Sequence, residues 1–161
     1  VKEVSHFEEK YNKRIPVIAA GGIYTGEDIK RVMDLGASGV QLGTRFVTTT
    51  ECDASDAFKE SYVKAQEKDI EIIKSPVGMP GRALRNEFIK NIERERQPIK
   101  KCYNCMETCN PSSTPYCISQ ALINAVNGDI DNALLFCGAE TYKINKIKTV
   151  KKVIDELISE I

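Results

Sequence analysis

The chain of 161 residues has no surplus of either charge, since 23 lysines and arginines face 23 aspartates and glutamates. Binding a phosphate backbone needs a basic excess or a basic stripe, so nucleic acid is not an expected partner. No apolar run approaches the roughly 18 residues of a membrane-spanning helix, so a membrane protein is not expected. The sequence opens Val1-Lys2-Glu3-Val4, with no initiator methionine and no targeting pattern, and the expected location is the cytoplasm. Imidazole is scarce as well: His6 is the single histidine. It lies on a first helix, away from any strand end, and reads as a solvated surface position, so no catalytic residue is assigned. Aliphatic residues are plentiful, with 42% of the chain hydrophobic. This excludes a disordered chain, and the length suits one domain or a piece of a larger one.

What is present is an alternation of helix and buried strand. Val4, Phe7 and Tyr11 recur at helical spacing up to Lys13-Arg14, and a chain opening in this way reads as the C-terminal part of a longer protein. Ile15 to Ala20 is a continuous apolar run ending in Gly21-Gly22, as expected of a strand buried on both faces of a parallel sheet. Thr25-Gly26-Glu27-Asp28 is a capping pattern that opens a helix, with Ile29, Val32 and Met33 as its apolar stripe and Gly36 as its stop. A second strand, Gly39 to Leu42, ends in Gly43-Thr44. Two βα units in succession point to an α/β fold.

Residues 54–68 are expected to be helical, with Ala54, Ala57, Phe58 and Ala65 inward. Ile70 to Ile73 fits a short strand or another helical turn, and Pro76 to Gly81 a loop. A charged helix is expected over 86–97, on Phe88, Ile89 and Ile92, followed by a cysteine-rich loop from Cys102 to Cys117. Helices are expected at 118–127 and 131–136. The chain ends on an amphipathic helix carrying Val150, Val153, Ile154, Leu157, Ile158 and Ile161.

Both glycine sites fall at the C-terminal ends of strands, where βα folds bind ligands. Gly22 and Gly43 would let backbone N–H groups approach an anion without an intervening Cβ. The helix opening at Thr25 would add its positive end, and Thr44 a hydroxyl donor. The alternative is that these glycines serve only tight turns. Two such sites on adjacent strands favour a phosphate-bearing ligand.

The segments Ile15 to Ile23, Asp28-Ile29, Leu35 to Ala37 and Gly39 to Phe46 resemble the last two barrel strands of the nitronate monooxygenase family, formerly 2-nitropropane dioxygenases. Gly81 to Asn86, with Phe88, is similar to the same group, and flavin-dependent enoyl-acyl-carrier-protein reductases share the pattern. The resemblance covers essentially this whole chain but only the C-terminal half of the family's length. It implies the C-terminal part of a (β/α)8 TIM barrel, with a mostly helical smaller domain inserted after the last strand. Residues 1–50 would hold the last two βα units, 51–145 the inserted substrate or lid domain, and 146–161 the final barrel helix. It further implies an FMN-dependent oxidoreductase that oxidises alkyl nitronates with O2, acting on a small-molecule substrate. Gly21, Gly22, Gly43 and Thr44 would cradle the FMN phosphate, with Gln41 close by. The family's catalytic histidine would lie in a missing N-terminal half. Two other readings stay open: an FMN-dependent enoyl reductase using NAD(P)H, and a non-catalytic half-barrel module that binds phosphate or metal.

Six cysteines are many for a chain without a secretory signal, and a disulfide framework is not expected there. Four of them, Cys102, Cys105, Cys109 and Cys117, fall within 16 residues. Thiolates so spaced can wrap a small metal centre, an iron–sulfur cluster or zinc, with free or redox-active thiols as the alternative. Cys52 and Cys137 read as packing residues. Arg82 and Arg85 could clamp an anion, or pair with local carboxylates such as Glu87 or Glu93.

Overall fold

The computed structural model describes residues 1–161. Helix α1 (Lys2–Tyr11) ends at Asn12 in the left-handed conformation, and Glu8 accepts from the N–H of Ile15 at 2.6 Å to steer the chain onward. Strand β1 (Ile18–Ala20) pairs in parallel with β2 (Gly39–Gln41), in the register Ile18↔Gly39, Ala19↔Val40, Ala20↔Gln41. Helix α2 (Gly26–Asp34) makes the crossover between them. This is the expected βαβ unit, although β1 is only the last part of the apolar run 15–20.

The expectation of strands buried on both faces is not met within this chain. Ile18 is 54% exposed and Leu35, just past α2, is 68% exposed. Helix α1 buries none of its residues. Much of the apolar character of these elements is therefore left uncovered by residues 1–161, while both outer edges of the two-stranded sheet stay unpaired.

After β2 come a short helix, α3 (Thr44–Val47), and then α4 (Asp56–Lys64), capped by the Ser55 hydroxyl, which accepts from the N–H of Phe58. Helix α4 stops at Lys64 rather than continuing to 68, and a 3-10 turn at Glu67–Asp69 leads into β3 (Ile70–Ile73). Strand β4 (Gly81–Leu84) pairs antiparallel with β3. Gly81 is required by close approach: a Cβ there would enter the Phe136 ring. Helices α5 (Glu87–Arg94) and α6 (Ile118–Asn127) follow, and α7 (Val150–Ser159) closes the chain.

The core lies mostly between β3 and the end of the 130s. One cluster joins Ile73, Ala83, Phe88, Ile89, Tyr116, Ala121 and Leu134; a second joins Tyr62, Leu84, Ala125, Ala133 and Leu135. These clusters explain why residues 131–136 are not the expected helix. A single 3-10 turn at Ile130–Asn132 is followed by extended chain, with Phe136 bridged antiparallel to Ala83. Extended backbone sends successive side chains to opposite sides, so Leu134 and Leu135, each 1% exposed, enter different clusters.

Helix α7 packs against α2 and α3 through Val153 and Leu157, while Ile154, Ile158 and Ile161 remain exposed. Its seat depends on Gly26, where a Cβ would strike the carbonyl oxygen of Leu157 and the Cβ of Glu160. No helix is long and apolar enough to cross a membrane.

Candidate phosphate cradle

The C-terminal ends of β1 and β2 open together onto a concavity of about 60 Å³ lined by Gly21, Gly22, Gln41, Gly43 and Thr44. All five residues singled out from the sequence thus share one site. Gly21 and Gly22 have φ of 82° and 65°, a region that L side chains occupy at a cost. A Cβ at Gly21, Gly22 or Gly43 would meet nothing within 4 Å. The glycines are therefore not filled around by protein; they border open space.

The residues lining that space carry unpaired backbone amides. The N–H groups of Gly21, Gly22, Ile23, Gly43 and Thr44 make no hydrogen bond within the chain. Grouped backbone N–H donors of this kind form an anion-binding concavity. The Thr44 hydroxyl accepts from the N–H of Gly138 at 2.9 Å, which leaves its own proton to donate.

One sequence expectation is corrected here. The positive end of α2 is mostly engaged within the chain: of its first three N–H groups, those of Gly26 and Asp28 are taken, and that of Glu27 has no partner. The Thr25 hydroxyl accepts from the N–H of Asp28, and the Asp28 carboxylate accepts from the N–H groups of Tyr24 and Thr25 at 3.0 and 3.1 Å. Gly26 donates to the Glu160 carboxylate at 2.7 Å. The Tyr24 N–H above all holds the Asp28 carboxyl well below the usual carboxylate range, with further help from Thr25 and Arg31. The capping box is thus present, and it is a structural device.

Two contributors were not read from the sequence. Arg45 borders the cradle with its side chain only 10% exposed; it pairs with Glu156 at 3.2 Å and lies over the Tyr24 ring at 4.4 Å, and its Nε has no partner. Lys148 shares Glu156 at 2.7 Å, so two cations meet one carboxylate beside the site. The other contributor is the segment Gly138–Thr141, which forms the opposite wall, with Glu140 paired to Lys143. Arg45 adjoins the Gly43-Thr44 motif and could have been noticed. Gly138 is 94 positions from Thr44, and no sequence pattern joins them.

The remaining candidates fall elsewhere. His6 is exposed on α1. Arg85 is committed to Glu71 at 2.6 Å and Glu93 at 2.8 Å, the local pairing rather than an anion clamp. Cys137 packs against the second core cluster, where burial pushes its thiol up. All six cysteines are free. Cys102, Cys105, Cys109 and Cys117 are not drawn to one point, and no three His, Cys, Asp or Glu side chains are spaced to hold a metal ion. A larger concavity, about 440 Å³ between Gln97–Lys101 and α6, lies away from the strand ends.

A strand–helix–strand unit with its glycines at the strand C-termini is shared by many proteins. The family comparison is decisive: the family model described as nitronate monooxygenase matches residues 1–160. The chain belongs to the nitronate monooxygenase family. A probable nitronate monooxygenase of Staphylococcus saprophyticus is 44% identical over 75 residues, covering 47% of this chain and 21% of that protein. One from Staphylococcus aureus strain Newman is 39% identical over 80 residues, 50% of this chain and 22% of its own length.

Among solved structures, FabK of Thermotoga maritima superposes with a TM-score of 0.73 at 35% identity, over 91% of this chain and 44% of that one. A nitroalkane oxidase of Streptomyces ansochromogenes shares the fold, with a TM-score of 0.67 at 24% identity over 94% of this chain and 40% of its own. The chain therefore spans less than half the length of these solved members of the fold, and its matches cover about a fifth of the curated nitronate monooxygenase relatives. The unpaired edges of β1 and β2 belong to a partial α/β barrel.

Proposed function

We propose that this chain supplies the cofactor-phosphate site of an FMN-dependent oxidoreductase that oxidises alkyl nitronates with O2. The observation that supports this reading is the ring of unpaired backbone N–H groups around open space at the ends of two parallel strands. The donor set fits a phosphate: amides from Gly21, Gly22, Gly43 and Thr44, the Thr44 hydroxyl, and the partly unsatisfied Arg45 guanidinium beside them. Gln41 stands at the last position of β2, next to that set. When bound, FMN supplies the redox chemistry, and the protein supplies binding, orientation and electrostatics.

This chain's residues act by holding and fixing. Amide donation from Gly21, Gly22, Gly43 and Thr44 would satisfy phosphate oxygens at no cost in side-chain entropy, because the backbone is already ordered. Arg45 is itself braced by Glu156 and Tyr24, so its charge is fixed in place before a ligand arrives. The Gly138–Thr141 segment closes the cradle from the side. In this reading residues 51–145 form the substrate or lid domain inserted after the last strand, and 146–161 the helix that returns to the barrel. Exposed Ile18, Leu35 and Ile158 would be covered by an N-terminal half-barrel that also carries the catalytic base.

The test is a visible spectrum and an oxygen-electrode assay on the native gene product. The expected result is a two-band flavin spectrum and O2 uptake dependent on an alkyl nitronate. NADH or NADPH consumption with an enoyl thioester, without nitronate-dependent O2 uptake, would replace this reading with the enoyl reductase. A colourless protein that FMN cannot reconstitute would overturn both.

A further inference from the structure

The loop from Gln97 to Cys117 is long, carries no helix or strand and crosses no disulfide. Structureless loops of this length in compact domains are uncommon and are usually functional. This one is not loose. Arg96 donates to the carbonyl oxygens of Thr114 and Pro111, the Gln97 N–H donates to Pro115, and Tyr103 Oη donates to Gln120 at 2.6 Å. The anchors tie its two ends together and pin Tyr103, between Cys102 and Cys105, to α6.

Cys102, Cys105, Cys109 and Cys117 border a single, mainly apolar cavity of about 90 Å³, together with Ile99 and Met106. Three further details concern how thiolates there would be treated. Cys102 Sγ accepts from the N–H of Asn104 at 3.4 Å, made possible by Asn104 at φ 50°; N–H···S bonds of this kind tune sulfur ligands of clusters. Cys117 occupies the N-cap of the ten-residue helix α6 with no side-chain cap of its own, an end that favours negative charge. Cys102 and Cys105 are exposed while Cys109 and Cys117 are half-buried, so an incoming group meets two thiols from solvent and two from the loop's inner wall.

We propose that these four thiols hold an iron–sulfur cluster of the [4Fe–4S] type. The arrangement suits a cluster better than a single ion. A zinc ion holds its sulfurs within about 2.3 Å of one point, whereas these four thiols are spread around one cavity. A cubane keeps its ligands apart by its own body, so the fitting arrangement is thiols disposed around a cavity. The short gaps between Cys102, Cys105 and Cys109 place three ligands on one wrap of chain, and Cys117 closes it from the start of α6. This assignment does not depend on the flavin reading.

The native gene product, purified without oxygen, is assayed for iron, zinc and acid-labile sulfide, then reconstituted with ferrous iron and sulfide. The expected result is about four iron and four sulfide per chain, with a broad absorbance near the visible that dithionite bleaches. Cys105→Ser and Cys109→Ser are expected to lose most of that iron, and Cys52→Ser to retain it. Flavin content, followed in parallel, reports the state of the barrel, so misfolding of a variant is told apart from loss of a ligand. Protein free of iron after reconstitution, one zinc per chain in place of iron, or equal iron loss in Cys52→Ser would each overturn the proposal.

Discussion

The backbone N–H of Gly138 donates to Oγ1 of Thr44 at 2.9 Å, tying the segment beyond the antiparallel hairpin to the turn that follows β2. The bond restrains the Thr44 side chain and leaves its single hydroxyl proton free to donate. Thr44→Val removes both functions while keeping shape. FMN affinity is expected to fall roughly tenfold, the worth of about one hydrogen bond to a charged group. Thr44→Ser should recover most of it. Titration followed by quenching of flavin fluorescence measures both; an unchanged Kd in Thr44→Val would remove Thr44 from the site.

Gly43 separates fold from ligand. Its φ is −113°, which any residue adopts, and a Cβ there meets nothing within 4 Å. Gly43→Ala should therefore shift stability by no more than about 0.5 kcal/mol. The added methyl would nevertheless stand in the space between the two strand ends, and flavin retention should drop sharply. Equal Tm with wild type together with a colourless product is the expected pair of results. A stable, fully yellow variant would mean that the phosphate lies elsewhere.

How far the sequence disclosed this arrangement can be read residue by residue. The βαβ unit and its cap were legible because they are local: Thr25 and Asp28 are three residues apart, and the glycines end apolar runs. The allocation of donors was not legible, because Glu160, which takes the Gly26 N–H, lies at the other end of the chain. The same holds for Gly138 and Thr44. Leu134 and Leu135 misled because adjacent leucines suit a helix as well as an extended segment between two clusters. Arg82 and Arg85 sit around a β-strand rather than beside a helix start alone, since Gly81 admits the Phe136 ring and so allows pairing where Gly and Pro suggest a loop.

Asp28 gives the fold a defined acid response. Its carboxyl is held below the ordinary value of 3.8, first by the Tyr24 N–H and then by Thr25 and Arg31. A depressed folded pKa contributes stability that is complete above the unfolded value and is lost as pH falls through the folded one. Asp28→Asn should cost about 1 kcal/mol at neutral pH. The gap in Tm between wild type and variant should then narrow as the pH is taken below 3.8. Melts across an acid series check the sign; a gap that widens on acidification would contradict it.

Unsatisfied apolar surface predicts how residues 1–161 behave alone. Ile18, Leu35 and Ile158 are 54%, 68% and 65% exposed, on elements whose counterparts in the relatives are parts of a barrel. The isolated chain is expected to self-associate and to bind a hydrophobic dye. Ile158→Lys with Leu35→Lys should shift it toward monomer in light scattering, since exposed patches drive such association. A monodisperse, dye-silent wild-type chain would instead favour an autonomous module.

Gly26 is the point at which the last helix touches the first crossover helix. A side chain there meets the Leu157 carbonyl, which cannot rotate away because it belongs to helix backbone, and the Cβ of Glu160. Gly26→Ala must therefore push α7 outward, at roughly 1–3 kcal/mol for an overpacked contact. The displacement also withdraws Glu160 from the Gly26 N–H, and through Glu156 it loosens the support of Arg45. Glu160→Gln removes the charge but not the seat, so it should cost well under half as much. Comparing the two by denaturant melts, with flavin affinity alongside, tests the chain of contacts: Gly26→Ala should weaken both stability and binding, whereas Glu160→Gln should leave binding near wild type. If Gly26→Ala lowered stability and left flavin affinity untouched, α7 would be a structural strap with no hold on the cradle.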